Sequence, residues 1–310
     1  MHYRNVGSTG LKVSAVSIGG WLTFGAKLDQ ETTSAILRTA REGGVNFIDL
    51  ADAYASGGAE KQVGRFLDSE RRAEWVISSK LYWPQSDDPN DRGLSRKHIF
   101  ESCERSLRNL RTDYLDIYFC HREDSETPLE ETVRAMDDLV RQGKVLYWGT
   151  SVWRPRTLRR AHSIARHRNL HAPVVEQPPY SLLDRSIERR VLPTARRLGM
   201  GLVVWSPLAG GILTGKYNSG APDGSRAAES DWLARELTES NLARVQEFCA
   251  IAESLGTEPA TLALAWILRR PEVSSVITGA TNPQQIASNL QASDLVVPED
   301  VVRQIERIFS

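Results

Sequence analysis

Four side chains that can move or orient a proton stand at or just beyond short apolar segments of the chain. Asp49 lies in NFIDL, Tyr54 follows it by five residues, Lys80 ends WVISSK, and His121 directly follows LDIYFC. Tyrosine is a poor acid at neutral pH because its pKa is about 10, but a neighbouring ammonium favours the phenolate and lowers that pKa. A charged Lys80 beside Tyr54 therefore predicts a general acid that protonates a carbonyl oxygen as hydride reaches the carbon. His121 would orient that oxygen by a hydrogen bond.

Each of these side chains also has an ordinary structural explanation. Asp49 can cap a turn, Lys80 can be solvated, Tyr54 can be half-buried packing, and His121 can be a hydrogen-bonded histidine at a strand end. An unpaired carboxylate inside a barrel costs several kcal/mol, so Asp49 requires a cationic partner. The chemical interpretation rests on finding all four at consecutive strand ends.

Eight short runs rich in β-branched and aromatic residues predict the strands that position these groups. The runs are AVSIG from Ala15, NFIDL from Asn46, WVISS from Trp75, LDIYF from Leu115, VLYW from Val145, VVE from Val174, LVVW from Leu202 and SVIT from Ser275. Segments with helical periodicity separate them. The alternation predicts parallel strands joined by helices and closed into a TIM-type (β/α)8 barrel, a single domain over residues 1–310. Polar residues at the strand ends then meet at the mouth of the barrel.

Two segments depart from the simple repeat. YRNV-GSTG-LKV at the start predicts an N-terminal β-hairpin that plugs the barrel floor. The interval from Leu202 to Ser275 is too long for one strand and helix, and it begins with the glycine-rich SPLAGGILTGKY. It predicts a long functional loop and extra helices outside the barrel.

Composition excludes several classes of function. The 310 residues hold 39 basic and 39 acidic side chains, interspersed along the chain, so neither nucleic acid nor an anionic membrane is expected as a partner. No apolar run reaches the roughly 18 residues of a spanning helix, and the N-terminus does not resemble a signal peptide. The three cysteines are far apart, without CxxC spacing. We therefore expect a cytoplasmic protein with no bound metal.

Signals for phosphate binding are weaker. No GxGxxG follows the first strand, so a dinucleotide would not be held as in a Rossmann fold. GATNPQQIASN places Gly279 after the last strand and Pro283 at a helix start, which would leave free amides for a phosphate. A plain turn explains that segment nearly as well.

Several motifs, in order along nearly the whole chain, resemble those of aldo-keto reductases. They are FIDLADAY, SSK, YFCHRED, YWGTS, EQPPYSLL, WSPLAGGILTGKY and ITGATNPQQ. The resemblance is strongest to the branch containing the β subunits of voltage-gated potassium channels, through GWLTFG, RGLSRKHI and EVSSVITGA. It implies reversible reduction of aldehydes and ketones with NADP(H). It also implies a small-molecule carbonyl as the partner, and a homotetramer.

The resemblance assigns roles to individual positions. Asp49, Tyr54, Lys80 and His121 become a catalytic tetrad, with Tyr54 as proton donor. Ser151 and Gln177 would bind the nicotinamide amide, and Trp205 would lie against its ring. The full set implied for the cofactor is Gly20, Trp21, Ser151, Gln177, Trp205, Ser206, Pro207, Leu208, Gly210, Lys216, Arg226, Gly279, Thr281, Gln285 and Asn289.

Preference for NADPH over NADH is a hypothesis that rests on the family and on three candidate partners of the 2′-phosphate, Arg226, Thr281 and Gln285. The substrate pocket is predicted from aromatic residues expected on loops at the mouth. These residues are Trp21, Phe24, Trp83 and Trp153. An aromatic pocket with one polar corner suits apolar aldehydes and ketones. Ordinary loop packing explains each aromatic residue equally well.

The chain departs from the channel subunits at four positions. His121 stands where those subunits carry asparagine, which favours a turning-over reductase. Lys27 replaces a glutamine, Ser288 a glutamate and Val152 an arginine, so the details of cofactor binding differ. The first alternative is a redox-sensing accessory protein that binds the cofactor with little turnover.

A second alternative is a metal-dependent hydrolase with His121, Glu123 and Asp124 as ligands. It has little support, since His121 is the only one of six histidines at a predicted strand end.

Overall fold

Eight parallel strands form a closed barrel at the centre of the protein. The computed structural model describes residues 1–222, Ser225 and residues 233–310. In this part of the chain the strands are Tyr3–Asn5 (β1), Lys12–Ser14 (β2), Val16–Gly19 (β3), Phe47–Asp49 (β4), Val76–Leu81 (β5), Leu115–Cys120 (β6), Val145–Thr150 (β7), Val175–Glu176 (β8), Gly201–Val204 (β9) and Val273–Thr278 (β10). The barrel order is β10-β3-β4-β5-β6-β7-β8-β9. All eight predicted strands and their closure into a barrel are confirmed.

Helices surround the barrel. They span Gln30–Glu42 (α1), Gly58–Leu67 (α2), Arg96–Leu110 (α3), Leu129–Arg141 (α4), Pro155–Arg168 (α5), Val191–Leu198 (α6), Glu239–Ser254 (α7), Pro259–Leu268 (α8), Pro283–Leu290 (α9) and Glu299–Ile308 (α10). Short 3-10 turns occupy Tyr54–Gly57, Arg72–Glu74, Ser186–Arg189, Ala209–Thr214 and Gln291–Ser293. The long connection from β9 to β10 contains α7 and α8, so the predicted extra helix is confirmed. Within the described ranges, no helix has the length and apolar character needed to cross a membrane.

Local sequence explains where these helices begin. Ser95 and Asn282 cap α3 and α9, each accepting a hydrogen bond from the backbone N–H three residues further on. Proline occupies the first turn of α5, α8 and α9, where its missing N–H costs nothing. In α4, Val133 and Met136 are fully buried, while Arg134 pairs with Glu130 on the outer face. The helices therefore bury one stripe against the barrel.

The barrel interior is apolar at its floor and polar at its mouth. Alternate strand residues point inward, and the apolar ones form one cluster: Phe47, Val76, Ile117, Phe119, Val175, Val203 and Ile277. Toward the carboxyl ends of the strands, the inward positions become polar. Asp49 follows Phe47 by two residues, and in the same way His121 follows Phe119 and Gln177 follows Val175. The strand period thus turns the chemical groups into the lumen at the mouth.

The β1–β2 hairpin closes the opposite end. Val6 and Val13 from this hairpin join the interior cluster. Asn46, just before β4, accepts a hydrogen bond from the Ser14 N–H at 2.7 Å. The loop of the hairpin passes so near α6 that a Cβ on Gly7 would lie 2.3 Å from the Gly199 carbonyl oxygen, with φ at +56°. The predicted hairpin at the barrel floor is confirmed.

Candidate active site

A buried ion pair between Lys80 and Asp49 lies at the barrel mouth. Lys80 Nζ lies 2.7 Å from Asp49 Oδ2, and it donates to the Leu50 carbonyl oxygen at 2.6 Å. It also lies 3.1 Å from the hydroxyl oxygen of Tyr54. The side chain of Lys80 is 0% exposed and Asp49 is 3% exposed. All three donor positions of the ammonium are occupied, so its direction is set by β4, β5 and the turn that carries Tyr54.

The second carboxylate oxygen of Asp49 also accepts hydrogen bonds, from two side chains. Ser78 Oγ donates to Asp49 Oδ1 at 2.7 Å, and Gln177 Nε2 donates to the same atom at 2.9 Å. Ser78 lies opposite Asp49 in the β4–β5 register. Gln177 is thus joined to the ion pair, although the sequence assigned it to the nicotinamide.

Burial and the neighbouring opposite charge act in opposite directions on the pKa values of Lys80 and Tyr54. Burial lowers the pKa of Lys80, but attraction to Asp49 and Tyr54 outweighs this and raises the net pKa above its usual value. Burial raises the pKa of Tyr54 more than the adjacent ammonium of Lys80 lowers it. Lys80 thus acts in the expected direction, but the expectation that the net pKa of Tyr54 falls below its usual value was wrong, because the phenol is fully desolvated. Tyr54 keeps its proton at neutral pH, with Lys80 placed to stabilise a phenolate once the proton leaves.

His121 completes the cluster as a neutral imidazole. Burial, then the charges of Lys80 and Arg122, hold its pKa well below the usual value. Its ring packs edge-on to that of Tyr54, with centroids 6.1 Å apart. Among the described residues its Nδ1 atom has no hydrogen-bond partner. A neutral His121 can donate one hydrogen bond without competing with Tyr54 for the role of acid.

The loops around the mouth hold unusual backbone conformations. Tyr54 is followed by Ala55 and Ser56, both with φ of 50°. Other side-chain-bearing residues in the left-handed region stand just beyond β3, β7 and β9: Leu22, Val152, Ser206 and Ala209. Each such residue costs on the order of 1 to 3 kcal/mol, and such strain concentrates at functional sites. Four of the βα loops at this mouth are therefore held in shape by their surroundings.

Glu176 holds the strained loop after β7. Its carboxylate accepts hydrogen bonds from Thr150 Oγ1 and from the Trp153 N–H, the latter at 3.0 Å. Burial raises the pKa of Glu176 to about 7, against the lowering effect of Thr150 and of the Trp153 and Val152 N–H groups. The loop that it holds contains Ser151. Sequence reasoning missed Glu176, because its partners lie on another strand.

The residues predicted for nicotinamide meet at one side of the mouth. Ser151 Oγ donates to the Gln177 carbonyl oxygen at 2.9 Å. Trp205 and Trp21 pack edge to face with centroids 6.2 Å apart. The structure therefore pairs Ser151 with Gln177, and Trp21 with Trp205, on loops after β3, β7, β8 and β9. Gly20, also predicted here, has a clear packing reason, since a Cβ would lie 2.8 Å from the Leu50 side chain.

The segment after β9 forms a tight turn that packs against Lys216. Gly210 and Gly211 have φ of 68° and 99°. A Cβ on Gly211 would lie 2.9 Å from Lys216 Nζ. In the described part of the chain Lys216 forms no ion pair, and its ammonium lies 5.0 Å from the Tyr217 ring centroid. Ser206, Pro207 and Leu208 lead into this turn, whereas Arg226 falls outside the described residues.

The segment after β10 is only partly as predicted. Helix α9 begins at Pro283 as expected, but Asn282 Oδ1 accepts the Gln285 N–H at 2.9 Å. Gln285 Oε1 in turn accepts the Thr281 N–H at 2.8 Å. The expectation of free amides here was wrong at these two positions, because nearby side chains cap them. The space beside Gly279 is open, and Asn289 is buried.

These observations fit a dinucleotide. The Lys216 ammonium, which forms no ion pair among the described residues, lies beside a glycine turn after β9, and the space beside Gly279 after the neighbouring β10 is open. Glycines of this kind let phosphate approach the backbone, and an unpaired lysine supplies its counter-charge. The tetrad and the paired indoles of Trp21 and Trp205 adjoin this region.

The four aromatic residues predicted for substrate separate into two groups. Trp83 is 39% exposed and packs edge-on to His121, with centroids 6.1 Å apart. Trp21 lies at the mouth against Trp205. Phe24 and Trp153 are 1% and 2% exposed and belong to the main hydrophobic core. These two shape the loops from beneath and offer a substrate almost no surface.

Arg122 is a second residue of this site, besides Glu176, that sequence reasoning overlooked. Its guanidinium donates to the His121 carbonyl oxygen at 2.5 Å and lies 5.5 Å from the ring centroid of Trp83. Its Nη1 is also 3.5 Å from Ser151 Oγ. The available signal was its position directly after His121 at the end of β6.

The residues proposed for a metal-dependent hydrolase are engaged elsewhere. Glu123 pairs with Arg154 at 2.6 Å. Asp124 accepts the Leu94 N–H and the Thr127 hydroxyl, both at 2.7 Å. No group of three or more potential metal ligands occurs among the described residues.

The chain belongs to the aldo/keto reductase family, whose sequence profile matches residues 15–309. This family comprises oxidoreductases that act on carbonyl compounds, which agrees with the barrel and with the buried tyrosine–lysine–aspartate cluster. The match extends from just before the first barrel strand to the end of the last helix.

Three relatives carry names from a single branch. A protein of Oryza sativa subsp. japonica, named "Probable voltage-gated potassium channel subunit beta", is 45% identical over 99% of this chain and 96% of its own length. A protein of Arabidopsis thaliana with the same name is 46% identical over 96% of this chain and 92% of its own. In Schizosaccharomyces pombe, a "Putative voltage-gated potassium channel subunit beta" is 41% identical over 99% and 93%. The resemblance to this branch is confirmed.

Proposed function

We propose that the protein is an NADPH-dependent reductase of aldehydes and ketones, with Tyr54 as general acid. The observation that carries the proposal is the buried contact of Lys80 with Asp49 and Tyr54, at 2.7 and 3.1 Å. A lysine with two such neighbours is charged, and it lies where a phenolate would form. No purely structural role requires these three groups to converge on an open mouth.

Tyr54 and Lys80 act on the carbonyl oxygen. When bound, NADPH supplies the hydride that the carbonyl carbon accepts. As the carbon–oxygen π bond opens, Tyr54 gives its hydroxyl proton to the oxygen, so the product is the alcohol and the residue left is a phenolate. Lys80 stabilises that phenolate through its charge, and solvent restores the proton.

His121 and Asp49 support this proton transfer without exchanging protons. Neutral His121 orients the carbonyl oxygen by donating one hydrogen bond. Asp49 keeps Lys80 charged and directed at Tyr54. Ser78 and Gln177 hold the Asp49 carboxylate through its second oxygen, so that it does not rotate away from Lys80.

The protein would hold the cofactor through the residues around this mouth. In this proposal Ser151, Gln177, Trp21 and Trp205 would hold the nicotinamide beside the tetrad. Lys216 and the preceding turn would bind the pyrophosphate, and Gly279, Thr281, Gln285 and Asn289 the adenosine end. Preference for NADPH is proposed through Thr281, Gln285 and Arg226.

The test is turnover of NADPH or NADH, in parallel, with 4-nitrobenzaldehyde, followed at the absorbance of the reduced nicotinamide. We expect aldehyde-dependent consumption, faster with NADPH, and a loss of at least about 100-fold in kcat for Tyr54→Phe. NADPH affinity, measured by fluorescence, should stay within about twofold because Tyr54→Phe removes the acid and leaves the nucleotide residues in place.

Tyr217→Phe is the matched control. It removes a buried hydroxyl outside the tetrad, which has no hydrogen-bond partner among the described residues. Turnover of Tyr54→Phe at the rate of the control would contradict the assignment of the acid.

A second candidate is a cofactor-binding accessory protein with little turnover. The names of the three relatives at 41–46% identity favour it. The same assay separates the two functions, because tight NADPH binding without aldehyde-dependent consumption supports the accessory role. His121, which replaces the asparagine of channel subunits, favours the reductase.

A further inference from the structure

Arg122 brings to the active-site mouth a charge that no carboxylate of the described residues pairs with directly. It is half-buried, and it forms no ion pair among the described residues. Its field reaches the tetrad, since its charge lowers the pKa of His121 and opposes the rise in that of Tyr54. Burial lowers the net pKa of Arg122 and outweighs the charge of Glu176, which raises that pKa without forming an ion pair, so an anion in direct contact would stabilise the partly desolvated guanidinium.

The acids nearest in the chain and in space are already engaged. Glu123 binds the side chain of Arg154. Asp124 caps the loop before α3. Glu176 accepts hydrogen bonds from Thr150 and from the Trp153 N–H. Asp49 is saturated by Lys80, Ser78 and Gln177. The remaining direction of approach for an anion is the partly exposed side where Arg122 faces Trp83, whose side chain is 39% exposed.

The phosphates of the cofactor are not that anion. The residues proposed for the pyrophosphate and the adenosine end follow β9 and β10, whereas Arg122 follows β6. In the barrel, β7 and β8 separate β6 from β9. The proposed nicotinamide residue beside Arg122 is Ser151, 3.5 Å away, and the nicotinamide amide is uncharged. The counter-charge must therefore come with the other ligand.

We infer that Arg122 selects carbonyl substrates that bear a carboxylate or phosphate group. The carbonyl would lie at Tyr54 and His121, and the anionic group on the side where the Arg122 guanidinium faces Trp83. Trp83 packs against both His121 and Arg122, so an aromatic or short aliphatic spacer would lie along its ring. This inference rests on the proposed reductase function and replaces the expectation of purely apolar substrates.

The first test compares kcat/KM for 4-carboxybenzaldehyde and 4-formylphenyl phosphate with that for neutral 4-methylbenzaldehyde. Wild type should prefer at least one anionic aldehyde, and Arg122→Met should reduce that preference on the order of tenfold or more. Arg134→Met is the matched control, since it removes a surface guanidinium paired with Glu130 on α4. It should keep the wild-type preference.

The two anionic aldehydes distinguish the source of the charge. A preference lost only for the carboxylate identifies carboxylated substrates, and one lost only for the phosphate identifies phosphorylated substrates. An equal loss for anionic and neutral aldehydes would overturn the inference, because Arg122 would then act through the tetrad. Arg122→Lys should keep part of the preference, since it retains the charge without the planar fork.

A binding measurement separates this inference from the proposed function. Calorimetry with benzoate and phenyl phosphate should show weaker binding to Arg122→Met, on the order of tenfold, while NADPH affinity changes by less than about twofold. A comparable loss of NADPH affinity would make the cofactor the partner and overturn the inference. Anion binding through Arg122 without turnover of any aldehyde would contradict only the reductase. Turnover without preference for an anionic aldehyde would contradict only the role of Arg122.

Discussion

At the scale of single residues, a buried charged side chain loses its hydration on folding and needs compensating partners. Lys80 is charged in a fully buried position only because Asp49 and Tyr54 lie within hydrogen-bonding distance. Removing either member of such a pair typically costs about 3 to 5 kcal/mol, because an uncompensated charge remains buried. Loss of activity in a Lys80 variant would therefore combine a catalytic and a structural effect. Tyr54→Phe is the cleaner probe.

Glu176 shows the same cost of burial, and it forms no ion pair among the described residues. Its pKa of about 7 in the folded protein exceeds the ordinary 4.5 of a glutamate. Between these values the unfolded chain is ionised while the folded protein still holds the proton. The stabilisation is thus fully present below pH 4.5 and is lost as the pH rises to about 7.

The corresponding prediction concerns Glu176→Gln, which imitates the protonated acid. The variant should lose less of its free energy of unfolding than wild type between pH 4.5 and 7, a difference of roughly 3 kcal/mol at most. Urea unfolding at several pH values measures it. Glu299→Gln, on the exposed start of α10, is the control. Parallel pH profiles for wild type and Glu176→Gln would mean that Glu176 is not the titrating group.

At the scale of elements, the loops after the strands hold the candidate active site, while the hairpin closes the other end of the barrel. β1 and β2 contribute Val6 and Val13 to the barrel interior and so exclude water from beneath the tetrad. The turn that joins them depends on Gly7, which has φ of +56° and touches the backbone around Gly199. Both features require glycine.

We predict that Gly7→Ala destabilises the protein by about 2 kcal/mol or more, through strain and a clash with fixed backbone. Thermal unfolding by calorimetry measures the change. Gly10→Ala, in the same turn, is the control, because it has nothing within 4 Å and no positive φ. Equal melting temperatures for the two variants would show that the hairpin turn moves freely away from α6.

At the scale of the whole molecule, closure of the barrel joins distant parts of the chain into one site. Gln177 and Asp49 are 128 residues apart in sequence and 2.9 Å apart in space. The proposed cofactor residues follow five of the eight barrel strands, so a bound dinucleotide would link opposite sides of the mouth. Binding to the folded state alone stabilises that state by mass action.

NADPH at about 100 times its Kd should therefore raise the free energy of unfolding by about 2.7 kcal/mol, and NADH at the same concentration by less. Differential scanning fluorimetry with both nucleotides measures the shift in Tm. An equal shift for the two would contradict the proposed preference for the 2′-phosphate, and no shift for either would contradict dinucleotide binding. The homotetramer implied by the resemblance stays a prediction that light scattering of the 34.6-kDa chain can test.

The amino-acid sequence determined the barrel, the floor hairpin and the positions of the four tetrad residues. These depend on local patterns, namely β-branched runs at regular spacing and a polar residue where each run ends. Only the tertiary structure decided the rise in the pKa of Tyr54 and the burial of Phe24 and Trp153. It also decided that Arg122 forms no ion pair among the described residues. Desolvation and charge balance depend on groups brought together from distant strands, and no local pattern records which groups those are.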